Sequence, residues 1–454
     1  MKRALLLAMI MIALVGASLG GCAFGAKTPT AGNSDGGSQS SATPPQVGTF
    51  PLLPPAPGLF QPQAAAVLGG TISSIGYLIA DPFSGKFVPG VASLTGGTAV
   101  QFEKIGTEER FVTAAAQVGQ TRVVIGHSLP TGSQGHGQVP FCATSDGGGA
   151  FATHDLGQLA GGRSAQLLGV AASADGSNPV LMAVGAVGRS AQNDVGDVSG
   201  TDPLVIVSPD SGKTWSTSAS LPLPTGVTAA EALAVTSASG GTAFPGMLVV
   251  GAGWTDVSAT GAREVGIVWQ THDEGKTWKI VSDENFAQTG RDFWPAFVAA
   301  DNDTVIVAGW ADSVGFVKTG SGPTRSEDFE WVAGKDGKWN VVTDGNLLAP
   351  TRSGITTALI SREAGGFLWA GETYDTSAGG AFYAGQEPQK GNPSVWLFST
   401  TDGTTWSRFD STVSGVDAAA IVVGIAESGG RTAFFGVDRN SEEHGWVVDS
   451  ASIK

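Results

Sequence analysis

Five times, at nearly constant intervals, the chain presents an aspartate followed within a few residues by glycine and then by an aromatic. Ser208-Pro209-Asp210-Ser211-Gly212-Lys213-Thr214-Trp215 and Thr271-His272-Asp273-Glu274-Gly275-Lys276-Thr277-Trp278 share the pattern Ser/Thr-x-Asp-x-Gly-x-Thr-Trp. Thr144-Ser145-Asp146-Gly147-Gly148-Gly149-Ala150-Phe151 keeps the hydroxyl, Asp, Gly and aromatic positions, while Asp336-Gly337-Lys338-Trp339 and Asp402-Gly403-Thr404-Thr405-Trp406 are shortened copies. The aspartates Asp146, Asp210, Asp273, Asp336 and Asp402 stand 64, 63, 63 and 66 residues apart. Spacing that regular identifies a repeat protein.

The motif has the chemistry of a turn. An Asp carboxylate accepts backbone N–H groups, the Gly permits positive φ, and the aromatic (Trp215, Trp278, Trp339, Trp406) packs between neighbouring sheets. Each repeat carries an earlier turn as well, at 118–120, 174–176, 239–241, 301–303, 364–366 and 428–430. Apolar or β-branched runs flank these turns, such as Met247-Leu248-Val249-Val250 and Thr304-Val305-Ile306-Val307, and no long helical period interrupts them. Each unit therefore reads as strand A, a short turn, strand B, a longer loop, strand C, the Asp turn and strand D.

The motif resembles the Asp box, or BNR repeat, of sialidase-like β-propellers. That resemblance implies an all-β propeller of four-stranded antiparallel blades over residues 67–454. Six blades are expected, with seven as the alternative, since the apolar stretches 71–80 and 86–93 are not needed for six. Closure is expected from 98–107, acting as a D strand that completes the last unit.

The N-terminus has a different character. Lys2 and Arg3 precede an apolar run from Ala4 to Val15, and Leu19-Gly20-Gly21-Cys22 follows. This reads as a signal peptide over 1–21 whose end resembles the lipobox of bacterial lipoproteins. The resemblance implies a lipid on Cys22 that holds the mature protein to the membrane outside the cytoplasm. Residues 22–66, rich in Gly, Ser and Pro, read as a disordered tether. The only other thiol, Cys142, lies in an apolar run and reads as packing. A net charge of −15 argues against a nucleic-acid partner. No cofactor motif and no metal site is recognised, and no oligomeric state is specified.

In the fold that the resemblance implies, the B–C loops and the D-to-A connections share one face, where sialidase-like proteins bind. The B–C loops are expected near 127–138, 188–202, 253–264, 309–328 and 371–392. Arg110, Arg163, Arg291 and Arg352 each precede a strand A, with Glu231 and Asp417 at the matching positions of the third and sixth units. Converging guanidinium groups suit an anion; the competing reading has them capping blade edges. Trp254 and Trp310, at the mouths of two B–C loops, are candidate sugar platforms or inter-blade plugs. His127 and His136 read as surface histidines. Tyr374 and Tyr383, with Glu372 nearby, are the candidates for the Tyr–Glu pair of sialidase chemistry, and the family's Arg-Ile-Pro signature is absent. The leading reading is a non-enzymatic binding face for a glycan, peptide or envelope protein; the alternative is an exo-acting glycoside hydrolase of sialidase type.

Overall fold

In the computed structural model the chain forms seven separate four-stranded antiparallel sheets. Residues 48–51, 59–81, 86–95, 99–107, 109–128, 137–173, 179–189, 201–255, 263–287, 291–313, 327–343, 352–375, 394–408, 419–438 and 443–453 are described. Strands A to D of blade 1 are Leu59–Leu68, Thr71–Asp81, Lys86–Thr95 and Ala99–Lys104; of blade 2, Arg110–Val118, Thr121–Ser128, Val139–Asp146 and Ala152–Asp155. Blade 3 comprises Ala165–Ala172, Leu181–Gly188, Thr201–Ser208 and Ser216–Thr217, and blade 4 Val227–Ala238, Gly246–Thr255, Glu264–Thr271 and Lys279–Ile280. Blade 5 comprises Arg291–Asp301, Thr304–Ser313, Glu327–Ala333 and Trp339–Thr343, and blade 6 Arg352–Ser361, Phe367–Asp375, Ser394–Thr400 and Ser407–Arg408. Blade 7 takes strands A to C from Ala419–Ser428, Arg431–Asp438 and Glu443–Asp449, and its D strand, Gly48–Pro51, from the other end of the sequence.

The expectation of six blades gives way to seven. Ala99–Lys104 does not complete the last unit; it pairs with Lys86–Thr95 of its own sheet, Val91 opposite Glu103. The apolar stretches left over in a six-blade count are strands B and C of blade 1, joined to strand A through the Gly69-Gly70 turn. Closure instead comes from Gly48–Pro51, which runs antiparallel to Glu443–Asp449 with Gly48 opposite Val447 and Pro51 opposite His444. One strand and most of a second therefore fall in the 22–66 stretch read as tether, and the propeller begins at Gly48. Each A strand touches the A strand of the next blade, and that of blade 7 touches that of blade 1. The A-strand ends near Ala66, Thr236, Val298, Leu359 and Ile425 surround an axial cavity of about 300 Å³.

The cores lie between blades, so each sheet buries both faces. The aromatic of each Asp turn wedges against the blade before it. Trp215 packs with blades 2 and 3, Trp278 with blades 3 and 4, and Trp406 with blades 5 and 6. Trp339 stacks on Phe244 of blade 4 at 5.3 Å and donates to the Val281 carbonyl at 2.8 Å. The turns themselves are held by their own side chains. Asp273 accepts from Thr277 N at 2.8 Å and Thr277 Oγ1 at 2.7 Å, while Thr271 Oγ1 accepts from Gly275 N at 3.0 Å. Asp210 accepts in the same way from Thr214 N and Oγ1, Asp402 accepts from the backbone N–H groups of Thr404 and Thr405, and Asp336 accepts from Lys338 N. The Thr277 hydroxyl and amide hold the Asp273 carboxyl down to about 2, since both bonds favour its charged form. Gly212 is needed here on two counts: φ is +88°, and a Cβ would stand 2.9 Å from Thr144 Cγ2 of the preceding blade.

A second device recurs in all seven blades. Strand A carries a register shift opposite one glycine of strand B: Gly76, Gly126, Gly185, Gly251, Gly309, Gly371 and Gly436. At Gly251 a Cβ would lie 1.9 Å from the Glu231 carbonyl oxygen, which is backbone and cannot swing aside. A Gly251→Ala variant is expected to lose about 3 kcal/mol of stability in urea unfolding. Gly240→Ala, in a turn where a Cβ meets nothing within 4 Å, should stay within about 0.5 kcal/mol. Equal midpoints for the two variants would contradict the close-approach account.

Candidate binding face

Antiparallel order sorts the loops. The A–B and C–D turns lie at one end of every sheet, and the B–C loops and D–A connections at the other. Neighbouring A–B turns are hydrogen-bonded around the first end: Ser239 Oγ donates to Asn302 O at 2.9 Å, and Gly366 N to Asp301 Oδ2 at 2.6 Å. Asp301-Asn302-Asp303 is thus part of a turn-to-turn belt. The opposite end carries every B–C loop, and most of the residues of those loops lie outside those described.

Arg110, Arg163 and Arg291 are seated in different ways on that end. Arg110 and Arg291 are the first residues of strand A in blades 2 and 5, and each lies over a phenylalanine of its own strand C, Phe141 at 4.9 Å and Phe329 at 4.8 Å. The two sites are equivalent, because Phe141 and Phe329 pair with the strand-B glycines Gly126 and Gly309. Arg163 is on a D–A connection, its Nε donating to the Ala160 carbonyl at 3.0 Å. It lines a separate pocket of about 480 Å³ beside Gln138, Val139 and Asp155. Arg352 begins strand A of blade 6, and its side chain lies outside those described. Cation–π seating on individual blades accounts for Arg110 and Arg291 without a common anion.

Trp254 is a plug rather than a platform. It is 3 % exposed, donates its Nε1 to Glu264 Oε1 at 3.2 Å, and meets Trp294 edge-on at 5.9 Å. Trp294 in turn stacks on the half-buried Trp310 at 6.1 Å. These rings close the inner edges of blades 4 and 5 with Ala229, Leu233 and Leu168. Glu231 lies in the middle of strand A of blade 4, not on the connection before it, and is buried between Ala229 and Leu233. Burial, and secondarily the charge of Glu264, push its carboxyl up to about 8, so it keeps its proton at neutral pH. Glu264 N donates to Asp292 Oδ1 at 3.1 Å, linking the same pair of blades. The sequence signal for this cluster is a lone acid in the otherwise apolar run 229–233.

The remaining candidates divide. His127, read as a surface residue, is buried and stacked on Phe111 at 5.3 Å, and burial lowers it to about 4. Tyr77 is buried, its hydroxyl donating to the Val112 carbonyl at 3.3 Å. Glu372 and Tyr374 belong to strand B of blade 6 rather than to the loop after it, with their side chains outside those described. Tyr383, His136 and Cys22 lie outside the described residues altogether. Cys142 is buried between blades 2 and 3.

No protein-family model and no curated protein matches this sequence. Among solved structures, the chain is similar to the GH74 xyloglucanase from Xanthomonas campestris, with 14 % identity over 83 % of this chain and 52 % of that one and a TM-score of 0.41. It is similar also to Trypanosoma rangeli sialidase, at 11 % identity, 81 % and 58 % coverage and a TM-score of 0.42. A third is the Penicillium chrysogenum alpha-L-arabinanase, at 12 % identity, 63 % and 94 % coverage and a TM-score of 0.36. The chain thus spans about half the length of the xyloglucanase it matches. The propeller rests on the strand pairings above, not on these likenesses.

The raised Glu231 carboxyl has a consequence for stability. Between its ordinary value of 4.5 and its folded value of about 8 the folded chain holds a proton that the unfolded chain releases. Stability contributed by the neutral acid is therefore present below that window and falls as pH rises through it. Glu231→Gln, which stays neutral, should melt close to wild type at pH 5 and several degrees above it at pH 8.5. Parallel melting curves across that range would contradict the burial account.

Proposed function

We propose that this chain is a lipid-anchored extracytoplasmic protein that carries its B–C loop face away from the membrane, as a non-enzymatic binding surface for a glycan, peptide or envelope protein. The observation that carries the proposal is the polarity of the closing strand. Gly48 pairs near the end of Glu443–Asp449 that leads to the A–B and C–D turn end, and Pro51 near the B–C loop end. The segment that follows Cys22 therefore joins the propeller at the Asp-turn end. With 26 positions from Cys22 to Gly48 and a Gly/Ser-rich composition, its reach is roughly 30 Å. An anchor at that end leaves the loop face pointing outward, and loops on a rigid ring suit recognition.

The hydrolase alternative has less support. Sialidase-type chemistry needs arginines and a Tyr–Glu pair around one substrate, whereas Arg110 and Arg291 each lie over a phenylalanine of their own blade and Trp254 is sealed in the core. The Asp boxes act in this reading as inter-blade staples.

Orientation is testable with a thiol-directed dye, because Cys142 is buried and the lipid occupies Cys22. Gly240→Cys, at the A–B turn end, and Gln158→Cys, on a D–A connection, would be labelled separately in liposome-reconstituted protein containing an energy acceptor at the lipid surface. Transfer is expected to be stronger from position 240 than from 158, and Cys22→Ser should leave the membrane fraction. Stronger transfer from 158, or membrane retention of Cys22→Ser, would contradict the proposal.

A further inference from the structure

The pocket beside Arg163 holds two opposite charges that do not neutralise one another. It lies on the B–C loop face between the start of strand C and the D–A connection of blade 2, with a volume of about 480 Å³. Its walls include Gln138, Val139, Asp155, Gly157, Gln158 and Arg163. Arg163 uses Nε for the Ala160 carbonyl, and its terminal nitrogens take no partner among the described residues. Asp155 uses Oδ1 for Gly157 N at 2.7 Å and makes no ion pair with Arg163. Gln138 has its backbone fixed, its N–H donating to Ser164 Oγ at 3.1 Å and its carbonyl accepting from Ala165 N at 2.8 Å. Its side-chain oxygen is nonetheless buried with no hydrogen-bond partner among the described residues. An orphaned acceptor of this kind costs free energy unless a ligand or water supplies a donor.

We infer that this pocket binds a small zwitterion, a short peptide with free amino and carboxyl termini. The Arg163 fork receives the carboxylate in two parallel N–H···O bonds. Asp155 receives the ammonium, and the Gln138 oxygen accepts from the ammonium or the peptide N–H. A sugar is less well served, because no aromatic ring is found among the described lining residues. The volume falls in the range of ordinary small-molecule sites, roughly 300–1,000 Å³, and accommodates a di- or tripeptide. This inference deepens the reading of the loop face as a binding surface and names a ligand for one part of it.

The test is equilibrium dialysis of the full chain in detergent against a pool of free dipeptides. Parallel runs use the same pool N-acetylated, the same pool C-amidated, and glucuronate as an acidic sugar. Retention of the free pool is expected, with loss of about tenfold or more on blocking either terminus. Arg163→Gln should erase the discrimination against the amidated pool, and Asp155→Asn that against the acetylated pool, both variants melting as wild type does. Equal retention of blocked and free pools, preference for glucuronate, or no retention at all would overturn the inference. Because binding is measured without a membrane, its failure leaves the proposed orientation standing, and a reversed orientation leaves the pocket's ligand standing.

Discussion

A sheet that is apolar on both faces must find a neighbour on each side, and in this chain every blade does so only if the first and last also meet. Four residues satisfy that constraint. Gly48–Pro51 supplies the outer strand that Glu443–Asp449 would otherwise lack, which removes one sheet edge and locks the two ends of the polypeptide into one blade. The A strands of blades 1 and 7 then come into contact, and Phe60 and Leu78 pack with Phe435 and Val447 across the seam. The same pairing decides from which end of the ring the N-terminal segment departs, so topology and presentation are one physical fact.

Within the ring, one local device spaces neighbouring blades and another spaces two strands inside each blade. At the turn end, an aspartate ties down the backbone and hydroxyl of a threonine while a glycine and a tryptophan press against the preceding blade. Inside each blade, a register shift in strand A falls opposite a strand-B glycine, and in five of the seven, Gly251 and Gly309 among them, a strand-A carbonyl stands where that glycine's Cβ would be. Blade 7 has no Asp turn and is held instead by the buried pair of Arg362 and Glu427 at 3.3 Å, with Arg362 also donating to the Ser450 and Ile453 carbonyls. Pairing of a buried guanidinium with both a carboxylate and carbonyls leaves few of its donors unmatched, which is the condition under which burial of charge is tolerated.

How legible this was depends on range. The Asp turns depend on residues within eight positions of each other, so the five aspartates and their C–D location could be read directly. Blade number could not, because a D strand looks the same whether it pairs with its own strand C or with that of a distant blade. The seven strand-B glycines recur once per blade, though less evenly than the aspartates, and a lone glycine in an apolar run carries no label until its carbonyl neighbour is known. Side-chain fate was harder still. Arg110 and Arg163 occupy similar places in the sequence, and only the neighbouring Phe141 ring separates a seated cation from one that lines a pocket. Glu231 was legible as an acid among alanines, but its protonation depends on burial between blades and, secondarily, on Glu264 from another strand.

The closing strand is the point on which architecture and orientation both turn. Pro51→Cys with His444→Cys, in the full chain, places thiols at directly paired positions. Mild oxidation followed by proteolysis and mass spectrometry should recover one disulfide-linked peptide joining residues near 51 to residues near 444, in monomeric protein and in high yield. Recovery of uncrosslinked peptides only, or linkage only between molecules, would contradict a ring closed by its own N-terminal strand.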